Sequence, residues 1–204
     1  MSSPRLAPLT PGELDEDQRE LYDAMVKTRQ SGSSLFRKFA IREDGSLAGP
    51  FDAWLRTPAL GSLLERVGTG LRALTQLPPA VREVSILVVA AAWRAPFEWF
   101  AHARMASAAG VPDAVIDAIG RQRVPEFDDP AMLAAHDVAR ELVHERGISD
   151  ATFERALGVF GERCLVELVC NIGYYQMISG MLESFLPPLH PEITGPPPVD
   201  GAAP

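Results

Sequence analysis

Cysteine is nearly absent from this chain of 204 residues, where only Cys164 and Cys170 occur. At about 100° per residue in a helix, their spacing turns them to well-separated faces, so they read as buried free thiols and not as a redox pair. Neither disulfides nor a metal are needed as staples, because a chain of this length can enclose one substantial core. Long apolar runs are missing as well: no stretch reaches the roughly 18 to 20 residues that a membrane helix needs. The hydrophobic share of 47% and charged share of 23% are those of a soluble globular protein. A formal charge of −8 provides no basic surface to displace counterions from nucleic acid or to meet an anionic membrane, so neither is an expected partner. A small-molecule substrate is the expectation, as is a cytoplasmic location, since the opening MSSPRLAPLTPGELDEDQ turns acidic where a secretory signal would be apolar.

Several catalytic signatures are also missing. There is no Gly-x-Ser-x-Gly elbow, no Cys-x-x-Cys and no His-Glu-x-x-His, so hydrolase triads, dithiol redox chemistry and zinc peptidase chemistry lose their usual support. The loose dinucleotide pattern GTGLRA, Gly68 to Ala73, follows LGSLLERV at helical spacing and not a strand, which removes the phosphate-cradling reading.

What the chain does have is helical periodicity. Thr10, Pro11 and Glu13 form a start signal before a stripe of Leu14, Leu21, Tyr22 and Met25. SGSSLFRKFAIREDGSLAGPF then reads as a long ordered loop or a small hairpin turning at Asp44-Gly45. Leu60, Leu63, Leu64, Val67, Leu71 and Leu74 keep helical spacing after Pro58. Pro78 and Pro79 open a helix through AVREVSILVVAAAWR that is apolar almost all round and belongs in the middle of a bundle; its only charges before Arg94 are Arg82 and Glu83. Pro96 restarts the chain for a helix to Ala109, stopped by Gly110. A short helix from Pro112 follows, then one over Ala131 to Arg146 capped by Gly147, then SDATFERALGVFG and ERCLVELVCNIGYYQMISGMLESF. The expectation is an all-α protein of about eight or nine helices, one domain over 1–190, with a proline-rich tail over 191–204 that packs extended and then frays.

Two residues stand out in RAPFEWFAHARMASAAG. Glu98 and His102 are about 400° of helix apart, on one face and about 6 Å along the axis, so they can act as a pair. On an open face they would be a surface ion pair. Trp99, Phe100 and the alanines around them suggest close packing instead, and a carboxylate and imidazole in a dry pocket have the shifted proton affinities that general acid–base chemistry uses. His136 and His144 lie about two turns, or roughly 12 Å, apart along one helix, too far for one ion, and no metal site is expected. Both read as structural or surface histidines, although His136 has a cavity as its alternative, and His190 reads as surface. Tyr174 and Tyr175 read as core or interface aromatics, with a ligand contact left open for one hydroxyl.

LPPAVREVSILVVAAAWRAPFEWFAHARMASAAGVPDAVI resembles the central segment of the carboxymuconolactone decarboxylase family, which is related to the alkyl hydroperoxidase D-like proteins. GSLAGPFDAWLRTPALGSLLERVGTGLR and CLVELVCNIGYYQMISGMLESF extend the likeness over about residues 10 to 188. The resemblance implies an alkyl hydroperoxidase D-like helical bundle that forms homo-oligomers, with a pocket around the central helix pair. Redox members carry a glutamate, two cysteines three apart, and a histidine four after the second. Here Glu83 matches the glutamate and His102 the histidine, but Ala95 and Glu98 occupy the cysteine positions, which argues against peroxidase activity.

Decarboxylase-like members keep a glutamate at the second cysteine position, so the resemblance implies Glu98 and His102 as an acid–base pair and Glu83 as the supporting carboxylate. It implies a cofactor-independent lyase or isomerase working next to the carbonyl of a small carboxylate or lactone. A hydrolase or hydratase on the same scaffold and a non-catalytic binding protein are its rivals. Phe51, Trp99 and Tyr174 are candidate substrate contacts, and Arg56, Arg82, Arg94 and Arg104 candidate anchors for a carboxylate.

Overall fold

The structure is a computed structural model that describes residues 4–30 and 39–201. The described residues hold eight α-helices, one short 3-10 turn and no strand, an all-α fold as expected. They gather into two compact units, one formed by the chain up to Arg72 with Gly180–Ile193, the other by Ala73–Ser179 with the chain from Thr194. Among the described residues, no helix is long and apolar enough to cross a membrane.

The first unit contains α1 (Glu16–Gln30), α2 (Phe51–Leu55) and α3 (Pro58–Ala73, to Arg72). Thr10 does not cap α1. Its reciprocal bonds with Glu13 close only the 3-10 turn Pro11–Glu13, after which Leu14 is extended. α1 starts on a second reciprocal pair, with Gln18 N–H donating to Asp15 Oδ1 at 2.9 Å and Asp15 N–H to Gln18 Oε1 at 3.1 Å. Leu21 and Met25 then face inward. The expected hairpin is present in its described part, as an Ile41–Leu47 antiparallel bridge around a turn at Gly45 with φ 82°. Residues 31–38 of that segment lie outside the described residues. Gly61 lets α3 approach α2, because a Cβ there would stand 2.6 Å from the Trp54 carbonyl oxygen. The expected stripe is not buried: Leu60, Leu63 and Val67 of α3 and Leu74 just past its end are exposed, and Leu64 and Leu71 are half-buried.

The second unit is built on α4 (Pro79–Ala92), which is buried almost all round, as its missing polar face predicts. A turn through Arg94, at φ 54°, leads to α5 (Pro96–Ala108), which ends at Gly110 with φ 90°. α6 (Asp113–Gly120) and α7 (Pro130–Glu145) pack against α4. α7 ends on a left-handed Arg146 and not on Gly147. α8 (Asp150–Phe185, to Ser179 in this unit) bends at Gly161, whose φ of 68° breaks the helical path where the sequence divides into two segments. The tail is held and not merely draped: the Arg94 guanidinium donates to the Pro196 and Pro197 carbonyls, each at 2.8 Å. Residues 202–204, where fraying was expected, lie outside the described residues.

Candidate active site

Glu83, on the first turns of α4, and Glu98 and His102, on α5, converge in the second unit. The short connection between the helices turns the chain back, so Glu83 meets the α5 face on which Glu98 and His102 stand one turn apart. His102 Nδ1 lies 2.7 Å from Glu83 Oε2, and His102 Nε2 lies 3.2 Å from Glu98 Oε2. All three are buried, at 2%, 5% and 5% relative exposure for Glu83, Glu98 and His102. One imidazole therefore has a carboxylate on each ring nitrogen, in a setting where water screens little of the attraction. The expected pair and its expected supporting carboxylate form a triad.

Burial alone would push His102 down, but the charge and hydrogen bond of Glu83, followed by those of Glu98, overcome it and raise its pKa from 6.5 to about 9. At neutral pH the ring is an imidazolium with both N–H groups donating. Burial likewise works against a charge on Glu83, and His102 together with Arg82, whose Nε is 3.5 Å from Glu83 Oε1, outweighs it and holds the carboxyl below its usual range. The shorter of the two contacts ties His102 to Glu83, which fixes the ring, while the longer one makes the Nε2 side the easier to open.

The face of α8 toward this centre carries residues that the sequence reading did not separate from their neighbours. Tyr175 stands edge-on to His102, with ring centroids 4.8 Å apart, and Asn171, one turn earlier, donates to Ser85 Oγ of α4 at 3.1 Å. Tyr174, the expected substrate contact, packs edge-on against Tyr175 at 5.4 Å. Spacing held the signal: Asn171 and Tyr175 are i,i+4, and Tyr174 points away by a third of a turn. Trp99 belongs to the core, its ring close enough to Gly120 that a Cβ there would meet it at 2.7 Å. Phe51 lies in the first unit, where it stacks edge-on with Trp54 at 5.4 Å.

Of the four candidate anchors, only Arg82 touches the triad. Arg56 is taken by Asp52 and the Ala7 carbonyl, Arg94 by the tail, and Arg104 lies over the Phe100 ring. Cys164 is half-buried and Cys170 exposed, correcting the expectation that both are buried. Both are on α8, away from the Ala95 and Glu98 positions where a dithiol would stand. GTGLRA is part of α3, as its helical spacing requires.

No curated protein sequence matches the chain. Residues 58–141 match the family model of the carboxymuconolactone decarboxylase family, a shorter span than the resemblance over residues 10 to 188. The matched segment carries Glu83, Glu98 and His102, so the part of the chain that holds the triad is the part that is similar to the carboxymuconolactone decarboxylase family.

Proposed function

We propose that the protein is a cofactor-independent lyase or isomerase that moves protons next to the carbonyl of a small carboxylate or lactone. The observation that carries this reading is the buried His102 with a carboxylate on each ring nitrogen. In a decarboxylation, the bond to the departing carboxylate breaks and its electron pair spreads onto the neighbouring carbonyl as an enolate, which takes a proton at carbon while carbon dioxide leaves. His102 supplies that proton from Nε2 when Glu98 moves aside, or passes it through the Glu98 carboxyl. Glu83 stays ionised and orients the ring, and Arg82 steadies Glu83. Solvent then returns the proton to His102. Enolisation, isomerisation and β-elimination first take a proton from carbon, a step for the Glu98 carboxylate, and then use the same return of a proton from His102.

The test is deuterium uptake from heavy water at carbons next to the carbonyl in a panel of small lactones and keto acids, followed by proton NMR. Uptake that is catalysed by the wild type and lost in His102→Asn supports the reading. Catalysed uptake that survives His102→Asn removes the triad from it. If water is the nucleophile, as in a hydrolase or hydratase relative, heavy oxygen from solvent enters the product.

A second reading is favoured by a separate observation: neither of the two described cavities includes Glu83, Glu98 or His102 in its lining. In that reading the triad is a structural ion cluster, and His102→Asn changes stability with no substrate in the panel turned over. We further propose that the protein works as a homo-oligomer, supported by the exposed leucine stripe of α3, and in the cytoplasm, where two free thiols suit a reducing compartment.

A further inference from the structure

A cavity of about 270 Å³ opens in the second unit, and the triad has no part in it. Val88, Ala91 and Ala92 of α4 and Ile119 of α6 make one wall. Val88, Ala91 and Ile119 are buried, so this wall is apolar. Val88, the α4 lining residue nearest to Glu83, follows it by about 7.5 Å along the axis and stands about 140° around the helix from it, so the cavity and the acid–base centre use different faces of α4.

The opposite side carries two guanidinium groups and two imidazoles. His136, Arg140 and His144 follow one another at i, i+4 and i+8 along α7, and Arg123 joins them from the segment after α6. No carboxylate lines the cavity. The acidic groups that answer these residues stand outside it: Asp137 is 3.2 Å from His136, Glu145 is 3.8 Å from Arg140, and Asp117 and Asp200 hold Arg123. The Arg140 contact is the loosest of these, and its side chain is 44% exposed, so its guanidinium can turn to a ligand at little cost. His136 is buried at the inner part of the polar side, its ring 5.4 Å from that of Phe127.

Size and polarity together define the ligand. An apolar cavity of about 150 Å³ is enough to hold benzene, so the volume here takes a ring or short alkyl chain with a carboxylate attached. We propose that this cavity binds a small monocarboxylate with one apolar tail, the tail against Val88, Ala91 and Ile119 and the carboxylate on Arg140 and His144. The planar guanidinium fork suits a carboxylate, and the apolar end gives an inorganic anion nothing. The inference is independent of what the triad does.

Benzoate and hexanoate serve as probes, with benzyl alcohol and inorganic phosphate as controls, in calorimetric titrations and ligand-observed NMR on the full chain. Both carboxylates are expected to bind saturably at one site, and each control at least tenfold more weakly. Arg140→Gln, at a surface position, is expected to weaken benzoate about tenfold while the melting curve stays in place. Ala92→Leu fills the apolar end and is expected to abolish binding, whereas His102→Asn leaves it unchanged. The proposal is overturned if neither carboxylate saturates, if phosphate or benzyl alcohol binds as tightly as benzoate, if benzoate binding survives both Arg140→Gln and Ala92→Leu, or if folded His102→Asn loses it.

Discussion

Glu83 Oε2 and His102 Nδ1 are 2.7 Å apart, and this contact joins α4 to α5 across two buried faces. It is the shorter of the two contacts to the His102 ring, and it connects residues 19 positions apart in sequence. Because burial penalises each charge, the ions persist only as a set, and removing one member strands the others.

The first prediction concerns the proton on His102. Imidazole signals in nitrogen-15 NMR are expected to show a ring that stays doubly protonated through neutral pH and titrates near 9. Glu83→Gln removes the largest opposing charge, so burial gains ground and the transition moves down. A wild-type His102 that titrates at 6.5, or a Glu83→Gln ring with an unmoved transition, contradicts the assignment of Glu83 as the orienting anion.

The second follows by linkage. A histidine whose folded pKa is raised contributes stability that is whole below its unfolded value near 6.5 and is lost as pH climbs toward 9. Glu83, with its pKa lowered, contributes above its ordinary 4.5 and loses that contribution as pH falls. The melting temperature is therefore expected to decline between pH 6.5 and 9, and His102→Asn to flatten that alkaline limb. A decline of equal steepness in the variant would assign it to other groups.

The same contact shows how far the sequence carries. Proline starts at Pro79 and Pro96 and the all-apolar character of α4 were readable, because helix punctuation and hydrophobic pattern are local properties. Glu98 and His102 were readable as neighbours by turn geometry. The place of Glu83 was given by resemblance only, since the meeting of α4 and α5 is a tertiary fact. Two misreadings have local causes. Thr10 and Asp15 both head reciprocal caps, and only the second leads into a helix, because Leu14 is extended between them. Arg146 took the left-handed position assigned to Gly147, so the chain turned one residue early. The α3 leucines had the right period, but periodicity shows a face and not what covers it.

The third prediction separates two adjacent tyrosines. Tyr175 is buried against His102, so Tyr175→Ala is expected to cost about 3–5 kcal/mol in urea unfolding, in the range for removing a buried ring. Tyr174 is half-buried on the outer side of Tyr175, and Tyr174→Ala is expected to cost about 1 kcal/mol. In NMR, only the Tyr175 variant should displace the His102 ring signals, since only that ring lies against the imidazole. Equal costs, or His102 signals that move in both variants, would remove Tyr175 from its positioning role.

The fourth concerns α3. Leu60, Leu63, Val67 and Leu74 are 51%, 55%, 49% and 76% exposed, although each is a residue that usually avoids water. Leu60, Leu63 and Val67 step by three and four residues, the repeat of a two-helix seam in which alternate apolar positions meet the same positions of a facing helix, and Leu74 follows just past the helix end. In the proposed homo-oligomer a second copy of the chain would supply such a helix by symmetry, because the same stripe on both partners is self-complementary across a two-fold axis. Sedimentation equilibrium is expected to show the wild type self-associated and Leu63→Glu shifted toward monomer, since a charge at the middle of the seam must be desolvated to assemble. The monomer fold should tolerate the change, as Leu63 is exposed, so far-ultraviolet circular dichroism at low concentration should match the wild type. A wild type that sediments as a monomer at high concentration, or an assembly indifferent to Leu63→Glu, would place the stripe outside any interface between copies.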